Sequence, residues 1–333
     1  MRTLFINPVD QRPRAFWRLL IHGVAWVVTL LFVLLPFVIL DSAMKGSQIL
    51  AGHSLLGHLT LTLGILAAVL ITLLWISFRV DRRPIEDYGL RIDRIWWRDY
   101  GAGFLFGALQ MLAIFGVLFA GHWIRVSAIH FTSAVALSLA ANLVLHLVVG
   151  FEEELLSRGG LLITLEELLR VKRVPQIVAT IAAMLLTSTL FGLMHKDNPN
   201  ATTVSTCFLI FAGVALAIPV LLTRQLGFSM GAHASWNFFQ GAILGFPVSG
   251  TTFAKPIIDS NPIGPQLLTG GAFGPEAGVV ALLVNALSLV AVYAYVKKTR
   301  GRAAILPPPQ LPHIEKAGEG IVPPPALQEI EAV

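Results

Sequence analysis

Three short polar groups interrupt otherwise apolar segments of the chain, and their residue types are those used in hydrolysis. The groups are Glu152–Arg158 (EEELLSR), Phe191–His195 (FGLMH) and His233–Asn237 (HASWN). A charge near the centre of a membrane-spanning helix costs about 2.5–3.5 kcal/mol on insertion scales. Polar residues that are kept in such segments therefore indicate either a function or hydrogen bonds between helices.

The spacing within the first group gives its two central glutamates different surroundings. Glu154 and Arg158 are four residues apart with the acid first, so they can pair along one helix face. Glu153 points about 100° away and remains free for another partner. Asn142 and His146 precede it on nearly the same stripe and are candidate outer neighbours of a site. By itself the group also suits a solvated helix end, where acids beside arginines are common.

The second and third groups supply histidine and amide side chains. His195 ends an apolar run, where a histidine is often only a partner for the helix dipole. His233 and Asn237 are four residues apart, which puts the imidazole and the amide on one helix face. Hydrogen bonding between helices is the alternative explanation for this pair. Together the groups contain a carboxylate that could act as a general base, a histidine that could activate water and a His/Asn pair that could stabilise an oxyanion. This combination predicts a hydrolase.

The elements that must position these groups are transmembrane helices. Charged residues make up 13% and hydrophobic residues 55% of the 333 residues, whereas a soluble domain is about 25% charged. A spanning helix needs about 20 apolar residues, and the chain contains about eight such runs. They are Leu19–Leu40, Leu55–Phe78, Gly101–Ala120, Ser133 to about Leu165, Gln176–Met194, Thr202–Leu222, Leu226–Leu244 and Ala277–Val296. We therefore predict an all-α, polytopic transmembrane helix bundle.

The fourth span poses a geometric problem. If it ended at Phe151, Glu153 would lie at one membrane surface and His195 at the other, about 30 Å apart. The chain after Arg158 remains apolar through Gly159–Leu165. We therefore expect the fourth helix to continue through this stretch, which places the glutamates at intermediate depth.

The distribution of basic residues predicts the orientation. Of the 24 Lys and Arg residues, 20 fall in the N-terminal segment, in alternate loops and in the tail. The positive-inside rule then places both termini in the cytoplasm, with Arg82 and Lys172 on the same side and Lys45 and Lys255 outside. The net charge of +5 matches this topology and an anionic lipid surface, so membrane lipid is the expected partner and nucleic acid is not.

The chain divides into three parts. Residues 1–18 form a cytoplasmic N-terminal segment, and residues 19–297 form the transmembrane domain, with the core motifs at 133–244. Residues 298–333 form a tail with two Pro triplets, which is typical of disordered or polyproline II segments. The Gly- and Pro-rich stretch Gly245–Pro275 is expected to be an irregular outer loop.

The three groups, in this order, resemble the motifs of the CAAX-processing and bacteriocin-processing (CPBP, or Abi) family of membrane proteases. That family includes the Ras-converting CAAX endopeptidase. Its pattern is Glu-Glu-x-x-x-Arg, then Phe-x-x-x-His, then His-x-x-x-Asn, which matches Glu153–Arg158, Phe191–His195 and His233–Asn237. The similarity extends from about Tyr88 through Leu268–Pro275 to the last span, or about two-thirds of the chain.

The resemblance implies an intramembrane endopeptidase and assigns roles to the motif residues. Glu153 and His195 would activate a water molecule. The developing oxyanion would be held by His233 and Asn237. Glu154 and Arg158 would be the supporting pair that positions the base.

The chain departs from many relatives of this family at one motif position. Ser157 stands where they have an aromatic residue directly before the arginine. A serine there could enlarge or wet the pocket. This departure affects the inference about substrate more than the inference about catalysis.

Other functions remain open at this point. Glu153, His195 and His233 could instead bind Zn²⁺, which takes three protein ligands plus water. We favour a mechanism without a cofactor, because a metal-bound histidine normally has an outer carboxylate or carbonyl partner and Glu154 is expected to be committed to Arg158. A third reading is a non-catalytic membrane scaffold or immunity protein.

Substrate and location follow only in outline. We expect a membrane-associated protein or peptide as substrate, and some relatives act on prenylated C-termini. The absence of an organelle signal favours the plasma (inner) membrane of a bacterium.

Overall fold

The fold is a bundle of long helices with one small two-stranded sheet. The computed structural model describes residues 2–7, 11–43, 55–171, 173–252 and 255–309. The helices are α1 Arg2–Phe5, α2 Ala15–Ala43, α3 Leu55–Ile76, α4 Arg94–Ala120, α5 Ser133–Glu154, α6 Leu162–Leu169, α7 Gln176–Met194, α8 Thr203–Thr223, α9 Gly227–Phe238, α10 Gln266–Thr269 and α11 Val279–Arg300. The two strands, β1 Ile124–Ile129 and β2 Ile258–Pro262, pair antiparallel.

Seven helical segments in the described residues are long and apolar enough to cross a membrane. The prediction of an all-α, multi-pass membrane protein is therefore confirmed. The seventh predicted span, Leu226–Leu244, differs: α9 has 12 residues and continues as a π-helical turn over Phe239–Ile243. Residues 227–235 of α9 are all buried, so protein rather than lipid surrounds this helix.

The fourth span is unusually long. α5, a π-helical turn over Leu155–Leu161 and α6 form one helical run, Ser133–Leu169, of 37 residues. The prediction that this helix continues beyond Arg158 is confirmed. Turns of the π type widen a helix locally and occur often at functional sites. Here the turn begins directly after Glu154.

Glycines let α9 approach its neighbours closely. A Cβ atom on Gly107 of α4 would lie 2.2 Å from the Ala232 carbonyl oxygen, and one on Gly231 of α9 would lie 2.1 Å from the Tyr100 carbonyl oxygen. On the other side, a Cβ on Gly150 of α5 would lie 2.8 Å from a backbone nitrogen of α9. Small residues at such crossings permit backbone contact between membrane helices. This packing holds α9 between α4 and α5.

A buried ion network ties the N-terminal segment to the ends of α3 and α6. We call it the Asp81 cluster; it comprises Arg12, Arg18, Asp81, Arg83 and Glu167. Arg18 contacts Asp81 at 3.2 Å, and both Arg18 and Arg83 donate to the Glu167 carboxylate. The Arg12 guanidinium donates to the Asp81 carbonyl at 2.9 Å. The cluster therefore joins segments that are distant in sequence.

The connections at the ends of the helices bear on the remaining predictions. The predicted irregular loop Gly245–Pro275 contains β2 and α10. After α11, the chain returns to the end of α8, where the Leu306 N–H donates to the Leu221 carbonyl at 2.9 Å. Tail residues 310–333 and the topology markers Lys45 and Lys172 lie outside the described residues. The orientation of the bundle stays a prediction.

Candidate active site

One pocket brings the three motifs together. Its wall includes Glu153 from α5, His195 from the end of α7, and His233 and Asn237 from α9. His146, two helical turns before Glu153, lines the same pocket. The continuous fourth span and the close packing of α9 thus place side chains from three distant segments around one cavity.

Glu154 is the centre of a buried hydrogen-bond chain. Its Oε1 atom accepts from Arg158 Nη1 at 2.8 Å and from His233 Nδ1 at 2.9 Å. The side chains of Glu154 and Arg158 are 0% and 1% exposed. A second guanidinium nitrogen of Arg158 donates to the Gly213 carbonyl at 3.0 Å. The expected pair on one helix face is present, but Glu154 also fixes the histidine of the third motif.

This contact sets the orientation and tautomer of His233. A carboxylate that is paired with a guanidinium only accepts hydrogen bonds, so His233 Nδ1 carries the proton. The other ring nitrogen, Nε2, lies 3.9 Å from Glu153 Oε2, which is beyond hydrogen-bond distance. Glu153 Oε2 is buried and has no hydrogen-bond donor within the described part of the chain. His233 Nε2 and Glu153 Oε2 therefore lie close to each other, and Glu153 Oε2 remains available to accept a hydrogen bond.

His195 is fixed in the same way by a backbone group. Its Nδ1 lies 2.8 Å from the Phe191 carbonyl oxygen, which can only accept, so Nδ1 carries the proton and Nε2 keeps a lone pair. The Phe191 ring centroid lies 5.0 Å from that of His195 and 6.0 Å from that of His233. The Arg158 guanidinium lies 4.5 Å from the same ring. Phe191 therefore packs between the members of the site.

Two other residues that the sequence analysis named, Asn142 and Ser157, do not line the pocket. Asn142 is buried and donates to the Ser138 carbonyl at 2.8 Å, and it does not line the pocket. Ser157 also lies outside the pocket wall, and its hydroxyl donates to the Glu153 carbonyl at 2.6 Å. The serine is thus bonded to the backbone of its own helix rather than to pocket space.

The pocket residues that were not identified from the sequence include Asn198, Ser249 and Glu276. The Glu276 carboxylate accepts from the Ser249 N–H at 2.6 Å and from the Gln240 side-chain amide. Burial raises the pKa of Glu276 to about 7. The sequence feature that could have identified Glu276 is its position as a lone acid between the Gly-rich segment and the last apolar run.

The fit of a metal ion can be judged from the histidine contacts. Both histidines have the outer partners that metal-bound histidines usually have, Glu154 for His233 and the Phe191 carbonyl for His195. We predicted that Glu154 would be committed to Arg158 and so could not be the outer partner of a histidine. This prediction was wrong, because Glu154 contacts Arg158 and His233 at once. Over the described ranges, however, no group of three His, Cys, Asp or Glu side chains is arranged to hold a metal ion.

Comparison with known families agrees with the motifs. Residues 135–239 match the family model described as type II CAAX prenyl endopeptidase Rce1-like. The predicted resemblance is thereby confirmed, over a shorter range than the motifs suggested, and that range contains Glu153, His195, His233 and Asn237. No curated protein and no solved structure matches the chain. The family indicates CAAX-type intramembrane protease activity.

Proposed function

We propose that this multi-pass membrane protein is an endopeptidase that cleaves a membrane-associated protein or peptide with a water molecule activated by Glu153 and His195. One observation carries the proposal. Glu153 Oε2 is buried beside the pocket without a donor, and an acceptor left open in apolar surroundings is costly unless a ligand or water occupies it. Glu154 Oε2 also has no donor, but of the two glutamates only Glu153 lines the pocket.

The proposed first step is proton transfer from water. The Glu153 carboxylate takes one proton from the water, while His195 Nε2 accepts a hydrogen bond from the remaining O–H group and orients the oxygen. The Phe191 carbonyl holds His195 in the tautomer that this requires. The water oxygen then attacks the scissile carbonyl carbon, and the carbonyl electron pair moves to its oxygen.

The proposed second step is stabilisation of the oxyanion and departure of the amine. Asn237 supplies a side-chain N–H. His233 can donate from Nε2 only as an imidazolium, because Glu154 holds the proton on Nδ1. The nearby carboxylates of Glu153 and Glu154 favour that cation. When the C–N bond breaks, Glu153 returns its proton to the leaving amine.

Zinc is the second candidate for activating the water. Glu153, His195 and His233 would hold the ion, which would acidify bound water and polarise the carbonyl. The outer partners of both histidines favour this alternative. We prefer the metal-free mechanism because the amide of Asn237 suits an oxyanion better than a metal ion. A scaffold or immunity role would leave the open Glu153 oxygen unexplained.

The pocket wall favours an apolar substrate segment. Away from the motifs it is lined by side chains such as Phe106, Leu216, Leu289 and Val292. We therefore propose a lipid-modified, for instance prenylated, peptide as substrate, and we propose a bacterial plasma membrane as the location. The surrounding lipid is its other partner.

The central test uses purified protein in liposomes with a prenylated CAAX-type reporter peptide. Glu153→Gln and His195→Ala should reduce cleavage to the background rate without lowering Tm, because both side chains act on the water. Glu152→Gln is the matched control: its carboxylate is buried on the same helix but does not line the pocket. Cleavage by Glu153→Gln at the wild-type rate would rule out this site.

A separate measurement decides between the two ways of activating water. Active protein is washed with chelator and its metal content is determined. We expect activity without bound zinc. Stoichiometric zinc, with activity lost on its removal and restored on its return, would establish the metalloenzyme instead.

A further inference from the structure

A tight turn forms one wall of the pocket. The Val248 and Thr251 backbones exchange hydrogen bonds at 2.8 and 2.9 Å. Between them, Ser249 and Gly250 have φ values of 47° and 82°, as two-residue hairpin turns of the primed types require. Val248, Ser249 and Thr251 line the pocket. We call these four residues the 248–251 turn.

Neighbouring connections hold this turn on two sides. Asn198, in the connection between α7 and α8, donates from its side-chain amide to the Ser249 carbonyl at 3.0 Å. The Gly250 N–H donates to the Phe273 carbonyl at 2.7 Å. A Cβ on Gly250 would lie 1.7 Å from the Pro199 carbonyl oxygen, so no other residue fits at this contact.

Glu276 is the third attachment and is buried. Its Oε1 atom accepts from the Ser249 N–H at 2.6 Å, and its Oε2 atom accepts from Gln240 Nε2. The same Gln240 nitrogen donates to the Pro247 carbonyl at 2.5 Å. A Cβ on Gly274 would lie 2.4 Å from Glu276 Oε2. One carboxylate therefore joins the start of α11, the π-helical turn after α9, and the 248–251 turn.

The turn meets the pocket beside the catalytic groups. A Cβ placed on Gly241 would lie 3.0 Å from a Val248 side-chain methyl and 3.8 Å from His146 Nε2. Gln240 follows Asn237 by three residues on the same helical run. The contacts of Glu276 thus fix both the turn and the end of the helix that carries the proposed oxyanion donor.

We propose that Glu276 is a positioning residue that holds the 248–251 turn against the pocket, where the turn forms the wall that orients the substrate. This inference rests on the proposed endopeptidase function. The geometry requires two acceptor oxygens, because both oxygens of Glu276 accept from N–H donors. A glutamine would place its own NH₂ against one of those donors. Rotating the Gln240 amide to compensate would remove the bond to the Pro247 carbonyl.

Steady-state kinetics give the first test. Glu276→Gln should raise KM about tenfold with a much smaller change in kcat, because losing a hydrogen bond to a charged group costs a factor of that order. Asn198→Ala should raise KM in the same way. The double variant should show less than the product of the two effects, since both residues act through one turn. Asp259→Asn, a half-exposed acid on β2, is the matched control and should leave both constants unchanged.

Thiol labelling tests the attachment without relying on activity. Thr251→Cys is introduced into a Cys207→Ser background, since Cys207 is the single cysteine, and its reaction with a water-soluble maleimide is timed. Glu276→Gln, and Asn198→Ala as a second variant, should accelerate labelling severalfold, while Asp259→Asn should not.

The two measurements separate the possible failures. Unchanged labelling, an unchanged KM in Glu276→Gln, or fully multiplicative effects in the double variant would each overturn the positioning role. Accelerated labelling in a protein that cleaves no peptide would support the attachment of the turn and would count against the endopeptidase function instead.

Discussion

The chain contains two clusters of buried charge, and they differ in what they leave unpaired. In the Asp81 cluster, Glu167 bonds to Arg18 and Arg83, and Asp81 bonds to Arg18. Some guanidinium nitrogens there have no acceptor, but the arginines do not line the site pocket. At the site, Glu154 Oε1 is similarly paired with Arg158 and His233. The Oε2 atoms of Glu153 and Glu154 both lack a donor, but only Glu153 lines the pocket.

The difference shows that the number of buried charges does not identify a functional site. A buried ion pair with good geometry holds segments together, and removing one partner costs about 3–5 kcal/mol because it leaves an uncompensated charge. An open acceptor at a cavity contributes no such attachment, but it is available to a water molecule. We therefore expect the first cluster to control stability and the second to control the rate of cleavage.

The largest effect on stability is expected from Glu167→Gln. The change removes the carboxylate that Arg18 and Arg83 share. The free energy of unfolding should fall by about 3–5 kcal/mol, while kcat per folded molecule stays at the wild-type value. Denaturant titration in micelles measures the first quantity and active-site-normalised kinetics the second. The control is Glu86→Gln, which changes an exposed acid in the connection between α3 and α4 and should change neither the free energy of unfolding nor kcat. A loss of kcat in Glu167→Gln would contradict the separate roles of the two clusters.

Asn237→Ala should give the opposite result. Losing one oxyanion donor lowers kcat by about 10²–10³-fold, and the free energy of unfolding should remain near wild type. The control is Asn261→Ala, an exposed asparagine on β2. If Asn237→Ala lost stability and kept its kcat, the amide would be a bond between helices and not part of the site.

Glu276 should show a smaller, pH-dependent effect, because it is a buried acid whose two donors are neutral. Burial raises its pKa from 4.5 to about 7, so the folded protein binds this proton more tightly than the unfolded chain does. The resulting stabilisation is present below pH 4.5 and is lost as pH rises through 7. The Tm of wild type minus that of Glu276→Gln should therefore decrease between about pH 5 and 8. Parallel Tm curves would contradict the assignment, and Glu86→Gln, which changes an exposed acid between α3 and α4, should follow wild type throughout.

The sequence alone determined most of the helices, and the motif residues that it singled out line one pocket. Lipid leaves backbone groups no partner except within a helix, so the length of each apolar run predicts a span, and Gln176–Met194 has the predicted ends. The apolar stretch after Arg158 correctly predicted the long fourth helix. The motif spacing put His233 and Asn237 on one face, and both line the pocket.

Only the tertiary structure decided how these helices meet. Periodicity and hydrophobicity are local properties, so Leu226–Leu244 had the pattern of a span although α4 and α5 enclose α9. The second partner of Glu154 is 79 residues away, and the attachment of Glu276 to the Ser249 backbone joins two connections with no regular pattern. Such contacts depend on which surfaces pack together, and no local pattern of residue types records that choice.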